Sequence, residues 1–204
     1  MANFPPTLEN LIKELVKMPG IGRRSAQRIA FYILHSVRPE VKRLVSAIIR
    51  AKESICFCKV CNNLSDKEIC SICQDPARIK TGLCIVEGPN DVAVIENAGT
   101  FKGRYHVLLG SIAPLEGKGP EDLKIDDLLQ RIKQEGINEL IIATDADTEG
   151  ETTALYLTKF LKPTGVKITR IGLGIPMGGN IEYADSHTIS QALEHRKEIC
   201  SERA

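Results

Sequence analysis

The sequence predicts an α/β chain in three parts: a short helical region, a cysteine knuckle, and a parallel sheet covered by helices. Three observations predict it. Two helical apolar patterns flank Pro19-Gly20-Ile21-Gly22. Two C-x-x-C pairs, Cys58/Cys61 and Cys70/Cys73, follow with eight residues between them. Beyond Gly82, short apolar runs alternate with helical patterns, as strands buried on both faces do.

Leu8, Leu11, Ile12, Leu15 and Val16 recur at the spacing of one helical face, with Thr7 as the expected N-cap. Proline cannot continue that helix, and Gly20 and Gly22 permit a tight turn with open backbone amides. A second helix carries Ala26, Ile29, Ala30, Ile33 and Leu34 on one face. It begins with Arg23, Arg24, Gln27 and Arg28, three arginines in six residues. Helix, Pro-Gly-Ile-Gly, helix is the pattern of the helix-hairpin-helix DNA-binding motif. Backbone N–H groups at a helix N-terminus receive a phosphate, and neighbouring arginines neutralise the next ones. A helical hairpin with a solvated basic face is the plainer alternative. Arg38-Pro39 is expected to break the second helix, and a third follows with Val41, Leu44, Val45, Ile48 and Ile49. Three short helices and a zinc knuckle would by themselves make a marginal core.

Cys58, Cys61, Cys70 and Cys73 have the spacing that brings four thiolates to one tetrahedral zinc ion. All four positions would be protein, so this metal would hold structure and do no chemistry. Two disulfides, or four unrelated buried thiols, are the competing readings. Cys56 stands two residues before Cys58 and could replace it as a ligand. Cys84 and Cys200 read as inert thiols. Seven cysteines, four of them at metal spacing, suit a reducing cytosol.

The expected strands are Leu83–Val86, Val107–Leu109, Leu140–Ala143 and Val166–Ile171. Helices are expected through Val92, Val94 and Ile95, over Leu123–Gln134, and through Leu155, Leu157, Phe160 and Leu161. Ligands of such sheets gather beyond the carboxyl ends of the strands. Glu87 ends the first strand, with Asp91 close by, and Asp145 and Asp147 follow the third. Three carboxylates converging there could hold Mg²⁺. As the plain alternative, each acid caps a helix or sits in its first turn, the reading preferred for Glu149 and Glu151.

Charge is divided along the chain. Residues 1–80 carry 14 Lys and Arg against 7 Asp and Glu, and residues 81–204 carry 13 against 19. A polyanion is therefore expected to meet the first part, and metal or basic partners the second. No run approaches the roughly 18 apolar residues of a membrane span. Met1 to Asn10 lacks the pattern of a signal peptide, and no G-x-x-x-x-G-K-[ST] phosphate loop occurs.

E-G-x-x-D from Glu87 with the later Asp145-x-Asp147 resembles the Toprim domain of topoisomerases, primases and related nucleases. Joined to Met18-Pro19-Gly20-Ile21-Gly22-Arg23-Arg24-Ser25-Ala26-Gln27-Arg28, the four cysteines, Glu149-Gly150-Glu151 and Gly174-Ile175-Pro176-Met177-Gly178-Gly179, the order resembles the bacterial recombination mediator family RecR over nearly the whole chain. One departure is the complete D-x-D, where members of that family often have other residues.

The resemblance implies four regions. Residues 1–55 would be the helix-hairpin-helix DNA-binding region and 56–80 the four-cysteine zinc finger. Residues 81–172 would be a Toprim-type parallel α/β domain, and 173–204 a C-terminal oligomerisation segment. It implies a non-enzymatic role in DNA damage repair: a ring-forming homotetramer, a dimer of dimers, that encircles DNA. With RecO and RecF it would load RecA on SSB-coated single strands, in the cytoplasm at the nucleoid. By the same resemblance Arg24 and Arg28 contact DNA, Glu87 and Asp91 meet a partner, and Gly174 to Leu193 exchanges between subunits. A Mg²⁺-dependent Toprim nuclease and a zinc-held protein adaptor are the other two readings. No topoisomerase-type domain with a tyrosine nucleophile fits this length.

Overall fold

The computed structural model describes residues 4–197. They form two compact units that part between Ile55 and Cys56.

The first unit holds α1 (Pro6–Val16), α2 (Arg23–His35) and α3 (Arg38–Ser54). Leu8, Ile12 and Leu15 of α1 close over Ala26 and Ala30 of α2, with Phe4, Leu11, Ile21 and Ile29 around them. The two alanines are fully buried, so the helices pack closely at the hairpin. Gly20 turns it at φ +76, a conformation only glycine adopts without strain. Three expectations need correction. Thr7 does not cap α1: Pro6, with its fixed φ, opens the helix and Thr7 lies inside the first turn. Arg38-Pro39 does not break α2, which ends at His35; the pair instead forms the first turn of α3. Val16 and Leu34 are exposed, so the buried stripe is narrower than the apolar pattern.

In α3 the discrepancy is larger. Its apolar face is present, but no residue of the helix is buried, and Leu44, Val45, Ile48 and Ile49 are each about half exposed.

The second unit begins with a two-stranded antiparallel hairpin, β1 (Cys56–Phe57) and β2 (Leu64–Ser65), and the short α4 (Ser71–Gln74). The cysteine knuckle thus belongs to the unit of the sheet, not to the helical core of residues 4–55. After it come β3 (Gly82–Val86), α5 (Pro89–Ala98), β4 (Arg104–Val107), α6 (Ile125–Glu135), β5 (Glu139–Ile142), α7 (Thr148–Leu161) and β6 (Lys167–Arg170). The four strands lie in the order β4-β3-β5-β6, all parallel.

Alternation along β3 divides the core. Leu83 and Ile85 face Leu128, Leu157 and Leu161 of α6 and α7, while Cys84 and Val86 face Val92 of α5. Cys84 is buried, and burial pushes its thiol up to about 12, which disfavours the reactive thiolate; Cys200 lies outside the described residues. The second strand is displaced from its expected place. β4 covers Arg104–Val107, and Leu108 and Leu109 lie beyond it. The strand buries His106, whose polarity hides it from a search for apolar runs.

The outer edge of β4 is sealed. Val107 N–H donates to the Cys61 carbonyl (2.8 Å), and Asn62 Nδ2 donates to the Val107 carbonyl (3.4 Å). Arg131 of α6 donates to the Tyr105 carbonyl. Arg78, just past the knuckle, is ion-paired with Glu96 of α5, which also accepts from the Tyr105 hydroxyl. The chain continues to α8 (Ser186–Glu194), capped by Asp185, whose carboxylate accepts from Thr188 N–H at 2.9 Å. No residue of α8 is buried. Among the described residues, no helix is long and apolar enough to cross a membrane.

Candidate functional site

Three sites emerge from these elements. The first is the knuckle. The ligand atoms of Cys58, Cys61, Cys70 and Cys73 all lie within 4.8 Å of one another, with Cys61 Sγ 3.5 Å from Cys70 Sγ. Sulfurs at tetrahedral corners about 2.3 Å from zinc stand roughly 3.8 Å apart, whereas disulfide sulfurs are bonded at about 2.05 Å. The spacing therefore fits the ion and rejects the disulfides. Asn62, at φ +60, turns the first knuckle, and the Cys70 N–H donates to Cys58 Sγ at 3.3 Å, as amides do to metal thiolates. The hydrogen bond that Cys61 and Cys70 share raises the Cys61 thiol and lowers the Cys70 thiol; each ligand must lose its proton to hold a cation. Zinc here would supply folding free energy and no chemistry. Cys56 is not part of the cluster: it is exposed, and its thiol lies against the Ser65 and Lys67 carbonyls.

The second site is the hairpin of the first unit. α2 starts from Gly22 with no side-chain cap, leaving its first amides without a local acceptor. Arg23, Arg24 and Arg28 are all exposed around that start. They are not equivalent. Arg23 is ion-paired with Glu9 of α1 at 3.2 Å. Arg28 lines a concavity of about 430 Å³ with Ser25, Ile29 and Tyr32.

The third site is the acidic end of the sheet. Glu87 follows β3 and accepts the Asp145 N–H at 3.0 Å, which ties the two strand ends together. Asp91 turns back to accept the Gly88 N–H at 2.7 Å, and Asp147 caps α7 by accepting the Gly150 N–H at 2.7 Å. Glu149 accepts from the Ser111 hydroxyl, and Glu151 is paired with Arg170. Gly150 is required by contact. A Cβ there would overlap the Asp145 carbonyl and stand 2.8 Å from Glu87 Oε1. Burial raises the Glu87 carboxyl, the Asp145 amide partly counters it, and the charges of Asp145, Asp147 and Asp91 raise it further.

The sequence placed these acids at one end of the sheet, and there they stand. Their ligand atoms do not gather as a chelating set, however. Among the described residues the cysteines form the only group of three or more His, Cys, Asp or Glu ligand atoms within 4.8 Å. Capping separates the carboxylates, with Asp91 and Asp147 each turned to its own helix.

Sequence reasoning missed Phe57 and Leu64, which line a cleft together with Glu87, Asp91 and Asp145. The signal was present: in an extended Cys56-Phe57-Cys58, the phenyl ring points away from both thiols.

Family models agree with this arrangement segment by segment. A Toprim domain model matches residues 82–172, and models of the RecR helix-hairpin-helix, four-cysteine zinc finger and C-terminal regions match 8–52, 55–75 and 174–197. The recombination protein RecR of Acidothermus cellulolyticus is 50% identical over 96% of this chain and 98% of its own. That of Natranaerobius thermophilus is 47% identical over 98% of this chain and 100% of its own. That of Thermobifida fusca is 48% identical over 96% and 98%. A helix-hairpin-helix unit, a four-cysteine zinc site and a Toprim sheet, in this order and at this identity over nearly the full length, make the chain a member of the RecR family of recombination proteins.

Proposed function

We propose that this protein is a non-enzymatic mediator of recombinational DNA repair, a ring-forming clamp that acts with RecO and RecF to load RecA on SSB-coated single-stranded DNA. The observation that carries the reading is the uncapped, arginine-flanked start of α2. Open amides and the positive end of the helix dipole receive a phosphate, and Arg24 and Arg28 neutralise its neighbours. Such contacts read no sequence, which suits a clamp. Residues 1–55 take the DNA role, 56–80 the zinc, 81–172 the partner face and 173–204 assembly. The half-exposed apolar face of α3 and the unburied α8 support self-association into a homotetramer, since such faces are otherwise left in water. Glu87, Asp91, Asp145 and Asp147 serve RecO docking; a carboxylate face repels DNA and suits a basic partner. The protein works in the cytoplasm, at the nucleoid.

The test is RecA loading on SSB-coated single strands with purified RecO and RecF. Wild type should accelerate it. The Arg24→Ala/Arg28→Ala variant should not, although its oligomeric mass is unchanged. Mg²⁺-dependent cleavage of the same DNA by this protein alone, abolished by Asp145→Asn, would overturn the reading in favour of a nuclease.

A further inference from the structure

A cleft of about 600 Å³ opens at the acidic end of the sheet, and beside Gly88, Pro89, Asn90 and Gly110 its lining carries side chains of two kinds. Glu87, Asp91 and Asp145 contribute carboxylates. Phe57 and Leu64 contribute apolar surface. They are direct cross-strand partners on the hairpin beside the metal cysteines, and they stay 53% and 47% exposed. Leu109 adds a third apolar side chain and is held at φ +64, a conformation that costs free energy in a leucine and persists only where its surroundings impose it. Among the described residues no lysine or arginine lines the cleft.

Single-class ligands do not match this lining. A phosphate backbone would meet three carboxylates. A divalent cation would use the acids alone and leave the phenyl and leucyl surface in water. The lining matches a chain segment that brings both complements at once. We infer that the cleft docks a protein segment presenting a large apolar side chain next to an arginine or lysine. The apolar group seats against Phe57, Leu64 and Leu109, and the cation meets Glu87 and Asp145. The inference rests on the reading of the acidic face as a docking site. It adds the zinc hairpin as the other half of that site, and it names the chemistry of the segment. Metal binding and partner recognition then share a hairpin: Cys58, next to Phe57, is a ligand, and the Cys58 N–H donates to the Asn63 carbonyl (2.8 Å) next to Leu64.

The test is selection of random 12-residue peptides, displayed on phage, against the full-length zinc-loaded protein. Fluorescence anisotropy of the selected peptide follows, with Phe57→Ser and Glu87→Gln variants. Selected peptides should be enriched in both large apolar and basic residues, and each variant should weaken the peptide at least tenfold. Zinc content, oligomeric mass and DNA affinity should stay those of wild type. Tenfold loss in Glu87→Gln with none in Phe57→Ser overturns the inference and leaves docking on the acids standing. Failure to select any basic peptide removes both. Displacement of the peptide by an oligonucleotide or by millimolar Mg²⁺ assigns the cleft to those ligands instead. A fall in oligomeric mass in Phe57→Ser assigns it to a second copy of this chain.

Discussion

The Val107 N–H of the edge strand β4 donates to the carbonyl of Cys61, a metal-knuckle residue, at 2.8 Å. Zinc occupancy and the order of the sheet edge are therefore mechanically joined. Cys70→Ser should cost one zinc per chain by native mass spectrometry and destabilise the second unit by several kcal/mol, because metal affinity is also folding free energy. Hydrogen exchange should quicken at Val107 and the knuckle while residues 4–55 keep their protection. Cys56→Ser should retain zinc, and its loss there would reassign the ligands.

Arg24 and Arg28 should dominate DNA affinity, with Arg23 secondary because Glu9 already holds it. Each of Arg24→Ala and Arg28→Ala should flatten the slope of log affinity against log salt by roughly one phosphate contact per subunit engaged. Arg23→Ala should flatten it less. Titrations of a labelled oligonucleotide at several salt concentrations check both.

Gly150→Ala should destabilise the chain by about 1–3 kcal/mol, the usual range for forcing atoms into a filled space. The added carbon meets the Asp145 carbonyl and Glu87 Oε1, so Glu87 must move. Urea unfolding reads the stability. If the segment-docking cleft depends on Glu87, affinity for the selected peptide should fall as well.

His106 predicts an acid-labile edge. Burial lowers its pKa to about 4; its bond to the Lys124 carbonyl (2.7 Å) opposes that shift and Arg131 adds to it. The folded value lies below the unfolded value of 6.5, so the unfolded chain binds the proton first. Its stabilising contribution is complete above about pH 6.5 and is lost as pH falls from 6.5 toward 4, up to about 3 kcal/mol. Stability measured against pH should be flatter over that window in His106→Gln than in wild type.

Ile48→Asp on α3 should lower the oligomeric mass measured by light scattering and leave the helicity of the subunit intact. The helix is not needed to close the core formed by Leu8, Ile12, Leu15, Ala26 and Ala30. An unchanged mass would free α3 from the assembly.

Much of this was legible in the sequence because each signal is local. Doubled C-x-x-C encodes a metal geometry, Pro-Gly-Ile-Gly a turn, and apolar runs such as Leu83–Val86 a buried strand. What escaped depends on distant neighbours. β4 is hidden because its His106 is buried and bonded to the Lys124 carbonyl, a partner that lies well along the chain. The carboxylates read as converging because capping bonds, such as Asp147 to Gly150, are invisible in a D-x-D spacing. The α3 periodicity encodes an amphipathic helix, but periodicity does not say what covers the apolar face. Phe57 sits between two cysteines, and the alternation that turns its ring away from both thiols does not say what the ring faces.

The bonds that Cys61 and Asn62 make to Val107 also bear on how the protein is handled. A parallel sheet with a bare border recruits other chains, and here that border is masked by a segment that depends on a removable ion. Chelators or thiol oxidants in a purification buffer would expose it, and the loss should appear as precipitate. Preparations kept reduced and free of chelator should remain clear.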